Sequence, residues 1–202
     1  MRARESGSRC TSTRAGLPAI LNQVVGGETE GRRAQLVAAA FQRVAESGFE
    51  GLRLRQVAED VGIDHSTLHH HFATKQSLVE AVAAHTTRQF WETSPPAADH
   101  ASALRAHLRV LRQMIVEKPD LFAVTVELDL RARRDPAVAA AMAQHESGWR
   151  AKLVEILTDL VPDPATSAEL VIATVKGVRL LPDVAGPVLD LLAEQLTGDR
   201  RG

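Results

Sequence analysis

Residues 48–78 read GFEGLRLRQVAEDVGIDHSTLHHHFATKQSL, and this stretch decides the fold. Apolar residues three and four positions apart share one face of an α-helix, and their spacing here predicts a short helix over 54–61 from Leu54, Val57, Ala58 and Val61. Gly62 predicts a tight turn. Asp64 is placed to cap a helix over 65–72 by accepting backbone N–H bonds. The stretch therefore predicts a helix, a tight turn and a second helix.

Further helices are predicted on both sides of this pair. From Gly31 onward, apolar residues recur at spacings of one, three and four, and Gly48 is placed to end that helix. Thr74 is expected to cap a helix that begins at Lys75. Ala58 is small where the paired helices would cross closely. This is the helix-turn-helix plan, which is typical of proteins that place one helix in the major groove of DNA.

The second helix of the pair carries the side chains that can contact DNA. Its outward-facing residues are predicted to be His65, Ser66, Thr67, His69, His70 and His71. Hydroxyl and imidazole groups hydrogen-bond base edges and phosphate oxygens. The pattern indicates a DNA-reading surface whose partner is double-stranded DNA.

This stretch resembles the DNA-binding domain of the TetR family of transcriptional repressors. The resemblance covers about residues 32–85 and rests on motifs at the family's spacing, which here read Gly48-Phe49, Val57-Ala58, Val61-Gly62-Ile63, Leu68-His69-His70-His71-Phe72 and Thr74-Lys75. So many coordinated positions are more specific than one short motif. The resemblance implies an N-terminal three-helix DNA-binding domain followed by a C-terminal helical bundle that binds a ligand and dimerises.

The resemblance also implies roles for individual residues. The positions that match contacts to bases or phosphates are Arg55, His65, Ser66, Thr67, His70, His71 and Lys75. Among them, residues 65–67 match the base-facing start of the recognition helix, and Lys75 matches a phosphate-binding lysine. Two positions depart from the pattern. Arg53 stands where a Ser or Thr usually caps the helix, and His69 stands where a phosphate-binding Tyr is usual.

The remainder of the chain predicts helices throughout, so the expected fold class is all-α. Pro95-Pro96 interrupts the pattern and predicts a domain boundary. Residues 1–30 are expected to form a disordered extension, or alternatively a basic arm that touches DNA. Residues 31–92 are expected to form the helix-turn-helix domain, and residues 100–198 the ligand-binding and dimerisation domain.

Proline and apolar spacing predict the helices of the second domain. The Asp-Pro pairs at 135–136 and 163–164 each supply a cap and a first-turn proline. The predicted helices run from Leu104 to near Pro119, from Leu121 to Arg134 as one or two short pieces, from Pro136 to about Leu160, from Pro164 to about Leu181, and from Pro187 to Leu196.

A homodimer is expected, because a palindromic operator requires a partner related by two-fold symmetry. The resemblance implies pairing through the two helices that begin at Pro136 and Pro164. Ala168, Ala173 and Gly177 are small enough there for close helix contact. The alternative is that these residues pack inside one subunit.

An unidentified small-molecule inducer is expected in the second domain. The candidate pocket residues are His107, Leu111, Met114, Phe122, Glu127, His145 and Trp149. The alternative for each apolar one is an ordinary place in the core. The predicted function is that of a repressor that leaves its palindromic operator when the ligand binds. A constitutive DNA-binding protein without an inducer is the first alternative.

Composition excludes several other classes. The chain has 202 residues with a formal net charge of −1, distributed as +1 over residues 1–30, +1 over 31–90 and −3 over 91–202, so charge alone does not identify a nucleic-acid binder. One cysteine permits no internal disulfide and favours a cytoplasmic protein. No apolar stretch is long enough to span a membrane.

Metal and enzyme chemistry are disfavoured by spacing. His65 and His69 are four residues apart, as two metal ligands on a helix are, but no third ligand at suitable spacing completes a site. Asp64, His65 and Ser66 are consecutive and point in different directions, so they cannot act as a triad. We expect no catalytic residue, no metal and no cofactor. A helical enzyme or metal-binding protein is the remote alternative.

Overall fold

The computed structural model describes residues 19–90 and 97–198, with side chains from residue 30 onward. Within these ranges the chain forms α-helices and no β-strand, so the all-α prediction is confirmed. No helix among these residues has the length and apolar character needed to cross a bilayer. The predicted boundary at Pro95-Pro96 lies outside the described residues. The helices are α1 (Ala19–Gly51), α2 (Leu54–Val61), α3 (His65–His71), α4 (Lys75–Arg88), α5 (His100–Glu117), α6 (Pro119–Ala132), α7 (Pro136–Leu157), α8 (Pro164–Val178) and α9 (Pro182–Thr197).

Helix α1 begins earlier than the sequence pattern predicts. The structure places residues 19–30 in this helix rather than in a disordered extension, and residues 1–18 lie outside the described part of the chain. Gly26-Gly27 does not end the helix, because a glycine inside a helix costs only about 1 kcal/mol relative to alanine. The break comes at Gly48, whose φ of 65° and ψ of 178° are not helical.

The turn between α2 and α3 forms where the sequence predicts it. Gly62 follows α2 with a φ of 72°, and its N–H donates to the carbonyl of Glu59 at 3.0 Å. Left-handed backbone of this kind favours glycine, since other residues meet a steric penalty from Cβ. Leu68 of α3 and Phe72 just after it are buried beneath the pair, and Ala58 is buried where α2 meets its neighbours.

The two predicted helix caps have different outcomes. Thr74 caps α4 as predicted, since the N–H of Ser77 donates to Thr74 Oγ1 at 3.0 Å and the N–H of Thr74 donates to Ser77 Oγ at 3.3 Å. The predicted side-chain cap by Asp64 is wrong. The Asp64 side chain is exposed to water, and only its backbone carbonyl accepts a bond, from the N–H of Leu68 at 3.1 Å.

The core of the helix-turn-helix unit continues into the second half of the chain. One cluster of buried apolar residues combines α1 to α4 with Val124 and Leu128 of α6 and Val138 and Met142 of α7. We call this cluster the shared core. Each of these four side chains is at most 5% exposed. The helix-turn-helix unit is therefore closed on one side by α6 and α7.

A second apolar core fills the C-terminal half, where α5 packs on α9 and α7 packs on α8. The caps predicted by the Asp-Pro pairs are present: the N–H of Val138 donates to Asp135 Oδ1 at 3.3 Å, and the N–H of Thr166 donates to Asp163 Oδ1 at 3.0 Å. Residues 119–132 form a single helix, α6, where the sequence predicted one or two short helices.

The predicted start of the last helix at Pro187 is wrong, because α9 begins at Pro182 and contains Pro187. Pro182 occupies a first-turn position, where a missing N–H has no intrahelical partner to lose. Pro187 lies near the start of the helix and removes one backbone bond there. The sequence therefore holds two proline signals in succession, of which the first marks the boundary.

Candidate DNA-binding surface and ligand cavity

Helix α3 presents the predicted DNA-reading residues outward. His65, Ser66, His69 and His70 are exposed, while Thr67 and His71 are half-buried. Leu68, on the opposite face, is fully buried and holds the helix against the core. The rings of His65 and His69 meet edge to face with their centroids 4.6 Å apart. The structure therefore brings the six predicted residues onto one short helix anchored by a single apolar side chain.

Arg55 lies on the exposed side of α2. Its side chain is 83% exposed, and Nε donates to Glu59 Oε1 at 3.0 Å along the same helix. An exposed pair of this type contributes little to stability and leaves the guanidinium accessible. Arg53, at the start of α2, makes no side-chain cap, in agreement with the departure from the family pattern.

Lys75 is tied to the protein backbone. Its Nζ donates to the carbonyl of Phe49 at 3.2 Å, and the side chain is half-buried at the start of α4. Burial lowers the pKa of Lys75, and the nearby guanidinium groups of Arg53 and Arg131 lower it further. Lys75 thus joins α4 to the end of α1, and its contact with phosphate stays a prediction.

No group of three or more His, Cys, Asp or Glu side chains that could hold a metal ion occurs in the part of the chain that the structure describes. The pair His65 and His69 therefore stands without a third ligand there.

A cavity of about 330 Å³ lies among α5, α6, α7 and α8. Its volume suits a small molecule. Five of the predicted pocket residues line it, namely His107, Leu111, Phe122, His145 and Trp149. Met114 and Glu127 do not line it: Met114 is buried in the C-terminal core, and Glu127 faces the end of α1.

The aromatic part of the cavity contains two histidines in contact with other rings. Trp149 Nε1 donates to His107 Nε2 at 2.9 Å, so this nitrogen of the buried His107 acts as an acceptor. His145 packs against Phe90, with ring centroids 5.4 Å apart. Burial lowers the pKa of His145, and this keeps the imidazole neutral near pH 7. Both histidines are therefore set to act as neutral hydrogen-bonding groups.

A charged wall, which the sequence analysis missed, faces the aromatic part. Arg179 Nη2 donates to Asp129 Oδ2, and Lys176 Nζ donates to Glu146 Oε1. Lys176 Nζ also lies 3.6 Å from Asp129 Oδ1. The cavity-lining residues that the sequence reasoning did not name are Phe90, Thr125, Asp129, Met142, Glu146, Gly148, Lys152, Val175, Lys176 and Arg179.

A recognisable signal existed for two of these residues. Helix α8 is apolar over most of its length, but Lys176 lies in its last turn and Arg179 directly follows it, three residues later. Charges at that spacing share one face of a helix. They could have been identified as a polar site inside the bundle.

Helix α6 connects the cavity to the helix-turn-helix unit. Its residues Phe122, Thr125 and Asp129 line the cavity, whereas Glu127 accepts a hydrogen bond from the N–H of Phe49 at 3.3 Å. Arg131, one turn further along α6, lies over the Phe49 ring at 5.2 Å. One helix therefore contacts both the cavity and the last turn of α1.

Comparisons with known proteins agree with this architecture. Residues 36–82 match the family profile described as bacterial regulatory proteins of the tetR family, and residues 96–197 match the tetracyclin repressor-like C-terminal domain. The chain belongs to the TetR family. In this TetR-family chain the two matches cover the helix-turn-helix unit and the bundle that contains the cavity. The family resemblance inferred from residues 48–78 is thereby confirmed.

Among curated relatives, this TetR-family chain is 36% identical over 86 residues to the HTH-type transcriptional regulator BetI of Burkholderia thailandensis, covering 42% of this chain and 44% of that protein. It is 27% identical over 117 residues to the HTH-type transcriptional repressor AcnR of Corynebacterium diphtheriae, covering 57% of each. The chain thus spans about half the length of the curated relatives it matches.

Two solved structures show the same fold as this TetR-family chain over most of its length. A transcriptional regulator from Rhodococcus sp. Rha1 superposes with a TM-score of 0.76 at 25% identity, covering 82% of this chain and 96% of that one. A regulator from Saccharomonospora viridis, solved in complex with choline, superposes with a TM-score of 0.71 at 15% identity, covering 84% and 95%.

Proposed function

We propose that this TetR-family chain is a sequence-specific transcriptional repressor that leaves a palindromic operator when a small molecule enters the cavity. The observation that carries the proposal is the exposure of His65, Ser66, His69 and His70 on α3, the second helix of a helix-turn-helix that matches the family. Exposed polar side chains at the start of this helix are the groups that reach base edges in the major groove.

An exposed apolar surface on α8, on α9 and between them supports the expected homodimer, although the sequence analysis expected pairing through the helices that begin at Pro136 and Pro164. The large exposed residues there are Leu170, Leu180, Leu181, Val184 and Leu191, each between 42% and 63% exposed. Ala173 and Gly177 are also exposed and share the face of α8 that carries Leu170. Large apolar residues exposed on neighbouring elements are typical of interaction surfaces. We propose that a second copy of the chain covers this surface.

Ala168 does not belong to the proposed dimer surface. It is fully buried in the core of its own subunit, so the alternative of packing inside one subunit applies to this residue. Ala173 and Gly177 remain on the exposed side of α8.

Helix α6 is the proposed route from ligand to DNA. A ligand that contacts Phe122 or Asp129 displaces a helix that is also hydrogen-bonded to Phe49 through Glu127. Movement of Phe49 changes the position of α1 and, through Lys75, of α4. A ligand shifts such an equilibrium only by its difference in affinity between the two arrangements.

The first test is selection of fragmented genomic DNA by the purified protein, followed by sequencing of the retained fragments at low and raised salt. We expect enrichment of one palindrome, with binding that weakens as salt rises. The Ser66→Ala variant should lose affinity for that palindrome, whereas Ser147→Ala, an equally exposed serine on α7, should not. Absence of any enriched sequence at low salt would overturn the proposal.

The salt dependence separates phosphate contacts from base contacts. Arg55→Ala should reduce the slope of log affinity against log salt by about 1 if Arg55 meets a phosphate. The matched control is Arg109→Ala on α5, which removes an equally exposed guanidinium from the other half of the chain and should leave the slope unchanged.

A further inference from the structure

The polarity of the cavity defines the class of ligand it takes. We infer that the ligand is an amphipathic monocarboxylate, with an aromatic or aliphatic body at the Phe122 end and its carboxylate at the Arg179 end. This inference rests on the proposed function, since it concerns the ligand of the same cavity. It adds the sign of the ligand's charge and the direction in which the ligand lies.

One end of the cavity is aromatic and uncharged. The rings of Phe90 and Phe122 meet edge to face with centroids 5.7 Å apart, and Phe90 also contacts His145. His145 is held neutral by burial, as described above. Leu111 and Met142 add aliphatic wall. This end accommodates a ring or an alkyl chain.

Helix α6 sets the direction in which polarity changes. Phe122, Thr125 and Asp129 all line the cavity, and spacings of three and four residues place them on one helix face. At 1.5 Å of rise per residue, Phe122 and Asp129 are about 10 Å apart along the helix. The wall therefore passes from a ring, through a hydroxyl, to a charge over the length of a small amphipathic molecule.

The charges at the other end are already paired within the protein. Asp129 contacts both Arg179 and Lys176, and Glu146 contacts Lys176. The side chains that line the cavity include three cations, Lys152, Lys176 and Arg179, and two carboxylates, Asp129 and Glu146. This excess of one positive charge favours a ligand that carries a negative charge.

Arg179 has an unused donor. Its side chain is 9% exposed, and its Nε is the one buried side-chain nitrogen or oxygen without a hydrogen-bond partner among the residues that the structure describes. A buried donor without a partner is destabilising, so an arrangement in which the guanidinium turns towards the cavity and donates its Nε–H to a ligand carboxylate is favoured. Lys152, also on the cavity wall, adds a further positive charge, although its exposed pair with Glu155 screens it.

The test compares three probes that share one body and differ in headgroup: 4-phenylbutanoate, 4-phenylbutan-1-ol and 4-phenylbutylammonium. Octanoate is a second carboxylate with an aliphatic body. Binding is measured on the full chain without DNA, from Trp149 fluorescence in a Trp91→Phe background, which leaves Trp149 as the only indole. We expect both carboxylates to bind about tenfold or more tightly than the alcohol and the ammonium.

Two cavity variants should shift carboxylate affinity in opposite directions. Arg179→Met should weaken it about tenfold, because the donor and its charge are removed. Asp129→Asn should strengthen it and weaken ammonium binding further, because one negative charge leaves the wall. Arg109→Met, outside the cavity, should change neither. A loss of fold affects all probes in the same direction, so opposite shifts identify the charge effect even if Arg179→Met is destabilised.

The outcomes separate this inference from the proposed function. If the ammonium binds as tightly as the carboxylates, or neither carboxylate binds at millimolar concentration, the inferred ligand class is overturned. Operator binding by the same preparation would then leave the regulatory proposal intact. Carboxylate binding by a protein that selects no DNA sequence would support the ligand class and overturn the regulatory function instead.

Discussion

The N–H of Phe49 donates to Glu127 Oε2 at 3.3 Å, which joins the last turn of α1 to α6. The preceding residue, Gly48, has a φ of 65°, and a Cβ placed on it would lie 2.9 Å from the same carboxylate oxygen. Glu127 Oε2 therefore lies close both to the N–H of Phe49 and to the Cα of residue 48. This contact between α1 and α6 requires a glycine at position 48.

Gly48→Ala should lower the free energy of unfolding by more than Gly62→Ala does. Gly62, with φ 72° and ψ 36°, is left-handed helical, which costs an alanine about 1–2 kcal/mol. Gly48, with φ 65° and ψ 178°, lies in a region that is essentially reserved for glycine, so its backbone cost is higher. Only Gly48 also has Glu127 within reach of the new methyl group, since nothing lies within 4 Å at Gly62. Urea unfolding of the two variants, and of Gly48→Ala in a Glu127→Ala background, measures the difference.

The control for this comparison is Gly31→Ala, at a helical position with open space around it. This variant should stabilise the chain by about 0.4–1 kcal/mol through the unfolded state. If both substitutions lower the free energy of unfolding equally, and if removal of the Glu127 side chain does not change this, the contact with α6 contributes nothing to stability.

Operator affinity should fall in His69→Ala and in His70→Ala, because each substitution removes an exposed imidazole that can hydrogen-bond DNA phosphate from α3. Fluorescence anisotropy at constant pH and salt measures the affinity. His100→Ala, which removes a partly exposed histidine from α5, should bind the operator as the parent does. Equal affinity in all four proteins would exclude a phosphate contact by His69 or His70.

The stability of the fold should fall as the pH decreases below about 6.5, the ordinary value for histidine. Burial lowers the pKa of His145 in the folded chain, so the unfolded chain binds more protons in this range and acid favours unfolding. The stabilisation is complete above the unfolded pKa and is lost as the pH falls towards the folded one. His145→Gln should show a smaller decrease in Tm between pH 7.5 and 5.5.

Two comparisons test that assignment. His70→Gln changes an exposed histidine and should keep the full decrease in Tm. His85 has a pKa lowered by burial and by Arg88, so it accounts for the slope that remains in His145→Gln. If His145→Gln follows the parent over the whole range, His145 is not linked to folding.

Leu170→Glu combined with Leu181→Glu should convert the proposed dimer to a monomer. Each leucine contributes about 1.5–3 kcal/mol when buried, and two-fold symmetry counts every substitution twice. The mass in solution is measured by light scattering coupled to size exclusion. Leu130→Glu is the matched control, since Leu130 is 57% exposed and lies on α6, outside α8 and α9. A dimer that survives the double substitution would place the interface elsewhere.

Local signals predicted the fold well where capping and turn residues determine it. Gly62, Thr74 and the Asp-Pro pairs at 135–136 and 163–164 marked real boundaries, because each satisfies backbone groups or relieves strain at its own position. The last helix was misplaced because Leu181-Pro182 carries the same signal as Gly186-Pro187, and only packing on α5 and α8 decides between them.

The cavity was predicted only in part, because its shape depends on how helices from distant parts of the sequence pack. The positions of His107 and Leu111 followed from one helix face. Glu127 was misassigned because it lies five residues after Phe122, which turns its side chain well away from the face that lines the cavity. The charged wall of Asp129 and Arg179 joins residues 50 positions apart, a pairing that no local pattern encodes.

The shared core bears on how such regulators can be recombined. A helix-turn-helix unit that ends at residue 90 would lack Val124, Leu128, Val138 and Met142, whose side chains complete its core. If this unit were joined to the C-terminal bundle of another protein, its core would pack against side chains that do not fit it. Exchange of DNA specificity between relatives should therefore succeed by substituting a few outward-facing residues of α3. Transfer of the whole helix-turn-helix unit requires that these four core residues are transferred as well.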